Sequence, residues 1–183
     1  MEILVVIDAQ NDFIDGSLRN EEAIKAVPNV VEKIRNFDGD LIIATFDTHD
    51  ENYLSSNEGK KLPVVHCIKN TDGWNLEPNV KAALTDANLR NIKVSYIEKP
   101  TFGSDEVPLT IHHLFNFDEE LDIEFVGFCT DICVVSNVLI TKAAFYNRAN
   151  IKVDASCCAG VTPESHKAAL LTMQMCQVDI INA

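Results

Sequence analysis

Short apolar stretches rich in valine and isoleucine recur along this chain, and polar, turn-forming segments separate them. Each stretch is short and nearly continuous in its hydrophobic character, which is typical of parallel β-strands buried on both faces. The pattern predicts six strands, over residues 3–7, 41–45, 93–97, 123–128, 151–153 and 178–181.

Between these stretches, apolar residues recur at helical spacing. Helices are predicted over 27–37, with Pro28 in the first turn, and over 134–143, 168–175, 107–115 and 79–84. Strands that alternate with helices indicate right-handed crossovers and a parallel sheet between helical layers. We therefore predict an α/β fold, a three-layer α/β/α sandwich with a central, mainly parallel, roughly six-stranded sheet. No linker divides the sequence, so residues 1–183 are expected to form a single domain.

Ionisable residues follow four of the predicted strands. Asp8 comes after the first strand, Asp47 and His49 after the second, Lys99 after the third, and Cys133 after the fourth. In a parallel α/β sheet the ligand site lies beyond the carboxyl ends of the strands. The sequence therefore predicts an active site at this rim.

Cys133 is the candidate nucleophile. It stands where the fourth strand leads into a helix, with Thr130 or Asp131 available as the N-cap, so the positive end of the helix dipole favours its thiolate. An ammonium group from Lys99 is expected to lower the pKa of the thiol further. The alternative is that Cys133 is a small buried hydrophobic residue, which is the commoner fate of an intracellular cysteine.

Two further groups complete the chemistry that the sequence predicts. The carboxylate of Asp8 could accept the thiol proton and later return it to a leaving amine. The backbone N–H groups of Cys129 and Cys133 could face a developing oxyanion. Read alone, Asp8 could instead cap a helix.

A metal site is predicted beside this rim. Asp47 and His49 are two residues apart on an extended strand end, so their side chains project to the same side. His66 returns after a long polar segment, and Glu58 within that segment is a fourth donor. Such a set suits Zn²⁺, Mn²⁺ or Fe²⁺. The alternative is that these side chains stabilise the loop through hydrogen bonds and that His66 is a partly buried imidazole.

The formal charge of −13 makes nucleic acid, anionic membranes and strongly anionic substrates unfavourable partners. The first residues lack the basic flank of a signal peptide, and no apolar run approaches the roughly 20 residues that span a bilayer. We therefore expect a cytoplasmic protein whose six cysteines are thiols.

Five motifs in order resemble the isochorismatase-like cysteine hydrolases, and within them the nicotinamidases: LVVIDAQNDF at 4–13, ATFDTH at 44–49, LPVVHC at 62–67, EKPTFGS at 98–104 and GFCTDICV at 127–134. The resemblance implies a catalytic triad of Asp8, Lys99 and Cys133. It also implies a cis peptide bond between Phe128 and Cys129.

The resemblance implies a metal as well. Asp47, His49 and His66 match the ligand positions of nicotinamidases, and Glu58 matches an acidic ligand found in some members. In those enzymes the metal holds the pyridine nitrogen of the substrate, and for this chain we expect zinc, with manganese and iron as alternatives.

In those enzymes aromatic residues enclose the pyridine ring. Phe13 matches best, with Phe102 and Trp74 as further candidates, although a packing role is favoured for Trp74. The expected reaction is hydrolysis of nicotinamide to nicotinate and ammonia by what is expected to be a homo-oligomer. Two alternatives stay open: hydrolysis of another small amide, such as an N-carbamoyl or ureido compound, and a noncatalytic relative. The carboxylate of a ureido compound would call for arginine, and no arginine lies in a motif.

Overall fold

The computed structural model describes residues 1–114 and 120–183. The strands of this part of the chain form one parallel sheet in the order β3-β2-β1-β4-β5-β6, so the predicted six-stranded parallel sheet is confirmed. The strands are β1 (Glu2–Ile7), β2 (Leu41–Asp47), β3 (Lys93–Lys99), β4 (Leu121–Phe128), β5 (Ala149–Ala159) and β6 (Asp179–Ile181).

Helices cover both faces of the sheet, as predicted. The described helices are α1 (Asn11–Ile14), α2 (Glu21–Asn36), α3 (Pro78–Leu89), α4 (Glu106–Leu114), α5 (Val135–Phe145) and α6 (Pro163–Met175). Alternate residues of β1 face opposite layers: Leu4 and Val6 pack with α1 to α3, whereas Ile3, Val5 and Ile7 pack with α4 to α6. None of the described helices is long and apolar enough to cross a membrane.

Helix α2 begins earlier than the apolar pattern predicts. The side chain of Asn20 caps it by accepting hydrogen bonds from the backbone N–H groups of Glu22 and Ala23, at 2.9 and 3.2 Å. Pro28 lies inside the helix, so its prediction as a first-turn residue was wrong. The opening turns escaped the prediction because their exposed positions are polar.

Strand β5 is much longer than the predicted 151–153. The prediction ended at residue 153 because the next residue, Asp154, is charged and interrupts the apolar run. Asp154 is buried, and its carboxylate lies 2.8 Å from Lys33 Nζ of α2. The same ammonium lies 2.6 Å from Glu124 on β4. The ion pairs explain how a strand continues through an aspartate that interrupts its apolar pattern.

The other predicted helices also differ in their bounds: the helix predicted over 168–175 begins earlier, at Pro163, as α6, and the helix predicted over 134–143 corresponds to α5. The helix predicted over 79–84 is longer in the structure, where it forms α3, and the side chain of Glu77 caps its first turn. The helix predicted over 107–115 corresponds to α4, which is described as far as Leu114; residue 115 lies outside the described residues.

Candidate active site

The four strand ends that carry the predicted functional residues are neighbours in the sheet. Asp8 directly follows β1, Asp47 and Lys99 are the last residues of β2 and β3, and Cys133 lies in the turn after β4. The order β3-β2-β1-β4 brings these ends together at one rim. Asp8 and Lys99 are 0% exposed and Cys133 is 4% exposed, so the three groups interact away from bulk water.

Lys99 lies between the other two predicted catalytic groups. Its Nζ is 2.6 Å from Asp8 Oδ2 and 3.6 Å from Cys133 Sγ, and it donates a hydrogen bond of 3.1 Å to the carbonyl oxygen of Thr101. The structure therefore brings together a sulfur, an ammonium and a carboxylate within bonding reach.

Thr45 fixes the conformation of Asp8. Its hydroxyl donates a hydrogen bond of 2.6 Å to Asp8 Oδ1 and accepts one of 3.1 Å from the Asp8 backbone N–H. Asp8 has a φ of 44°, a left-handed conformation that aspartate adopts more readily than most residues. With Oδ1 held by Thr45, the other oxygen faces Lys99. Sequence reasoning missed Thr45, because a threonine in a buried strand is a common strand residue.

Burial changes the protonation of this cluster. It raises the pKa of the Cys133 thiol well above its ordinary value, as does Asp8, and the opposing effect of Lys99 is too small to reverse this. The expectation of a lowered thiol pKa was therefore wrong, because it left out desolvation. Burial also raises the pKa of Asp8 against the effect of Lys99. For Lys99 burial acts in the opposite direction and lowers the pKa, but the charges of Asp8, Cys133 and Asp47 together outweigh it, so the pKa is raised.

The turn that carries Cys133 is a π-helical turn, Thr130–Val134, which runs into α5. Cys129 occupies the N-cap position and no side chain caps the turn, so the prediction of Thr130 or Asp131 as the cap was wrong. These side chains bind elsewhere: Asp131 accepts from the backbone N–H of Val161, and the Thr130 hydroxyl lies 2.8 Å from Nδ1 of His166. They thus attach the turn to the beginning of α6.

The peptide bond between Phe128 and Cys129 is cis, as the resemblance implied. It directly precedes the turn that carries Cys133. The assignment of the backbone N–H groups of Cys129 and Cys133 to an oxyanion hole stays a prediction.

The four predicted metal ligands form one cluster. One ligand atom from each of Asp47, His49, Glu58 and His66 lies within 4.8 Å of the others. Nε2 of His49 is 3.0 Å and Nε2 of His66 is 3.4 Å from Asp47 Oδ2, and Glu58 Oε1 is 3.6 Å from Nε2 of His49. Nδ1 of His66 lies 2.8 Å from the carbonyl oxygen of Val64. That contact favours a proton on Nδ1 and leaves Nε2 free to bind a cation.

The unsatisfied atoms of this cluster fit a cation. Asp47 Oδ1, His49 Nε2 and Glu58 Oε1 are buried and form no hydrogen bonds. Unpaired buried polar atoms are costly, and a divalent ion would satisfy all three. Burial disfavours the charged form of Asp47, but the neighbouring imidazoles of His49 and His66 and the charge of Lys99 keep its pKa below the usual value. The cluster could therefore hold a metal ion.

The ring of Tyr53 packs against the rings of His49 and His66. Its ring centroid lies 4.6 Å from that of His49 and 4.9 Å from that of His66, and its hydroxyl donates a hydrogen bond to the carbonyl oxygen of Leu62. This role could not be predicted from the sequence, because a tyrosine in a polar loop has no characteristic spacing.

A cavity of about 640 Å³ opens over Cys133 and reaches His66. Phe13 and Phe102 both line it, and the Phe13 ring meets the His66 ring edge-on at 5.7 Å. The volume is within the range of small-molecule sites, and the wall combines aromatic rings with a few converging polar groups. The chain therefore has room for a ring-bearing ligand between the thiol and the metal cluster.

Trp74 has the packing role that the sequence analysis favoured. Its ring lies 5.0 Å from Phe46, its indole N–H donates a hydrogen bond of 2.8 Å to the hydroxyl of Thr48, and it is absent from the described residues that line the cavity. Arg19, which lies in no motif, does line the cavity, with Nε 2.9 Å from Glu21 Oε1.

The family model of the isochorismatase domain matches residues 2–183. The chain belongs to the isochorismatase family. A curated relative, the nicotinamidase/pyrazinamidase of Mycobacterium tuberculosis, is 22% identical over 186 residues, covering 99% of this chain and 98% of the relative. This membership and this relative indicate a hydrolase of amide bonds, as the sequence predicted.

Solved structures of isochorismatase-family enzymes share the fold. The nicotinamidase/pyrazinamidase of Bacillus subtilis has a TM-score of 0.82 and 23% identity, with 98% of each chain covered. The pyrazinamidase of Pyrococcus horikoshii, solved in complex with zinc, has a TM-score of 0.75 and 25% identity, with 100% of this chain and 99% of that chain covered.

Proposed function

We propose that this protein is a nicotinamidase, which hydrolyses nicotinamide to nicotinate and ammonia through a thioester on Cys133, within a single domain of residues 1–183. One observation supports this most strongly: Lys99 Nζ lies 2.6 Å from Asp8 Oδ2 and 3.6 Å from Cys133 Sγ, and Cys133 lines a cavity whose wall also contains aromatic rings.

The raised pKa values of the thiol and the carboxyl fit a concerted first step. Asp8 removes the proton from Cys133 as the sulfur attacks the carboxamide carbon, because a thiol held neutral by burial needs a base at the moment of attack. Lys99 stabilises the negative charge that passes between these groups. The N–H groups of Cys129 and Cys133 stabilise the oxyanion.

The tetrahedral intermediate then collapses. The carbon–nitrogen bond breaks, and the proton on Asp8 passes to the leaving nitrogen, which departs as ammonia. Water next attacks the thioester carbonyl while Asp8 accepts one of its protons. The carbon–sulfur bond breaks, the proton on Asp8 returns to the sulfur, and the product acid leaves and releases its carboxyl proton to solvent as nicotinate, with the thiol restored.

The metal cluster and the aromatic rings would orient the substrate. Asp47, His49, His66 and Glu58 would hold a divalent ion, which we propose to be zinc, and this ion would supply a Lewis-acid contact for the ring nitrogen. The zinc complex of the Pyrococcus horikoshii pyrazinamidase supports this choice. Such a contact would fix the carboxamide relative to the thiol.

Ammonia release from nicotinamide tests the proposal. We expect activity in the wild type and none above background for Cys133→Ala. Cys176→Ala, which changes an exposed cysteine, is the matched control and should keep full activity. Equal activity in the wild type and Cys133→Ala would contradict the thioester mechanism.

One observation favours a second substrate class. Arg19 at the cavity wall could meet the carboxylate of an N-carbamoyl or ureido compound. Its ion pair with Glu21 weighs against this. A panel of neutral amides and N-carbamoyl amino acids decides between them, since the second class predicts turnover that Arg19→Met abolishes.

We also propose a cytoplasmic homo-oligomer that takes part in NAD salvage and binds neither nucleic acid nor membrane. The net charge of −13 and the buried free thiols support this setting. Light scattering coupled to gel filtration tests the oligomeric state, and a monomeric mass at micromolar concentration would refute that part.

A further inference from the structure

A buried asparagine joins the nucleophile turn to the wall of the cavity. Asn137 lies on α5, four residues after Cys133, and is 0% exposed. Its Oδ1 accepts a hydrogen bond of 3.0 Å from the Ser104 backbone N–H. Its Nδ2 donates to the carbonyl oxygens of Phe102 and Cys133, at 3.0 and 2.8 Å. One side chain thus spans two segments of the candidate site.

The segment that Asn137 binds, residues 101–104, carries site groups but belongs to no helix or strand. Phe102 lines the cavity, and the carbonyl oxygen of Thr101 accepts a hydrogen bond from Lys99. Without regular secondary structure, such a segment takes its position from its individual contacts.

A close approach holds the same segment against α5. A Cβ atom added to Gly103 would lie 2.6 Å from Cδ1 of Ile140 and 3.1 Å from Cβ of Ser136. The hydrogen bonds of Asn137 hold residues 101–104 against α5, and the lack of a side chain at Gly103 allows this close packing.

We propose that Asn137 is a positioning residue, which holds residues 101–104 on α5 and thereby sets the place of Phe102 relative to Cys133. The proposal rests on the proposed function for the nature of the substrate, a small aromatic amide. A purely structural role, in which Asn137 only satisfies buried backbone groups, predicts lower stability without a specific change in substrate binding.

Asn137→Ser should remove the hydrogen bonds of residue 137 to residues 102 and 104 while keeping one to Cys133. A serine hydroxyl in a helix can bond to the carbonyl oxygen four residues earlier, here that of Cys133, but it is too short to reach residues 102 and 104. Ser104→Ala is the matched control. It removes a hydroxyl that accepts from the Glu106 N–H, and it leaves the Ser104 backbone N–H free to donate to Asn137.

Steady-state kinetics with nicotinamide test the proposal. We expect Asn137→Ser to raise KM about fivefold, the equivalent of one hydrogen bond, and to change kcat by less than about twofold. Ser104→Ala should keep the wild-type KM. An unchanged KM in Asn137→Ser, or an equal rise in Ser104→Ala, would overturn the proposal.

A double-mutant cycle tests whether Asn137 acts through Phe102. Once Phe102→Ala has removed the ring, Asn137→Ser should raise KM no further, because the group it positions is gone. Effects that multiply in the double variant would indicate that Asn137 acts independently of Phe102.

Alkylation separates failure of this proposal from failure of the proposed function. If the wild type does not hydrolyse nicotinamide, the proposed function fails, but the rate at which iodoacetamide modifies Cys133 still reports access past Phe102. Asn137→Ser should then speed the modification about fivefold and Ser104→Ala should not, as read by peptide mass spectrometry. Equal rates in wild type and Asn137→Ser would overturn the positioning role.

Discussion

Replacing Lys99 by methionine should destabilise the fold strongly as well as remove a predicted catalytic group. Lys99 Nζ is 2.6 Å from Asp8 Oδ2 and 3.7 Å from Asp47 Oδ1, and both carboxylates are buried. Methionine keeps most of the side-chain volume but leaves Asp8 without a counter-charge. Breaking a buried ion pair from one side costs about 3–5 kcal/mol. At about 2–4 °C per kcal/mol for a chain of this size, the melting temperature should fall by about 6–20 °C.

The loss should depend on pH in a defined direction. Without Lys99, the pKa of Asp8 in the folded state rises further above its unfolded value, so the folded protein holds a proton that the unfolded chain releases. Stability therefore falls as the pH rises, and the destabilisation of Lys99→Met should be larger at about pH 8 than at about pH 5.

Urea denaturation followed by circular dichroism measures these effects. Lys81→Met, at an exposed lysine of α3, is the control and should unfold like the wild type. The double variant Asp8→Asn with Lys99→Met should recover more than half of the lost free energy, because no uncompensated charge remains at that pair. A Lys99→Met protein within about 1 kcal/mol of the wild type, or a double variant no more stable than the single one, would refute this account of the buried charges.

Three further predictions follow from other parts of the structure. Thr45→Val removes the hydroxyl that orients Asp8, the proposed general base, and should lower kcat about tenfold, whereas Thr45→Ser should retain most of the activity; equal loss in both would indicate a packing effect. His66→Ala should reduce the zinc content measured by plasma mass spectrometry, and full zinc content in this variant would remove His66 from the ligand set. Burial disfavours the charged form of Asp154, but its hydrogen bonds, of which the one with Lys33 has the largest effect, lower its pKa. Asp154 therefore stabilises the fold above about pH 4, and this contribution is lost as the pH falls through the lowered pKa of the folded state. Asp154→Asn should therefore flatten the fall of the urea midpoint between about pH 5 and about pH 3, and an unchanged slope would contradict this.

The sequence predicted the sheet and the meeting of Asp8, Lys99 and Cys133 because both depend on one physical rule. Strands buried on both faces read as apolar runs, and their carboxyl ends share an edge. The rule failed where a charge lies inside a strand, as Asp154 does in β5, because its compensating partner Lys33 comes from a distant helix.

The positions of the neutral polar side chains could not be predicted in the same way. Thr45 and Asn137 carry no charge and have no characteristic spacing, and their roles depend on three-dimensional contacts with Asp8 and Ser104. The pKa of Cys133 was misjudged for a related reason, since the degree of burial is a property of the assembled site.

The strand order determines when, during folding, the residues of the candidate active site come together. The groups at the rim follow or end β1, β2 and β3 or lie in the turn after β4, so they span positions 8 to 133, and the strands that carry them pair in parallel with segments distant in sequence. No short fragment contains the whole set, and pairings of this kind form slowly during folding. After denaturation, catalytic turnover should therefore return only when the four strands β3, β2, β1 and β4 have paired in the correct register.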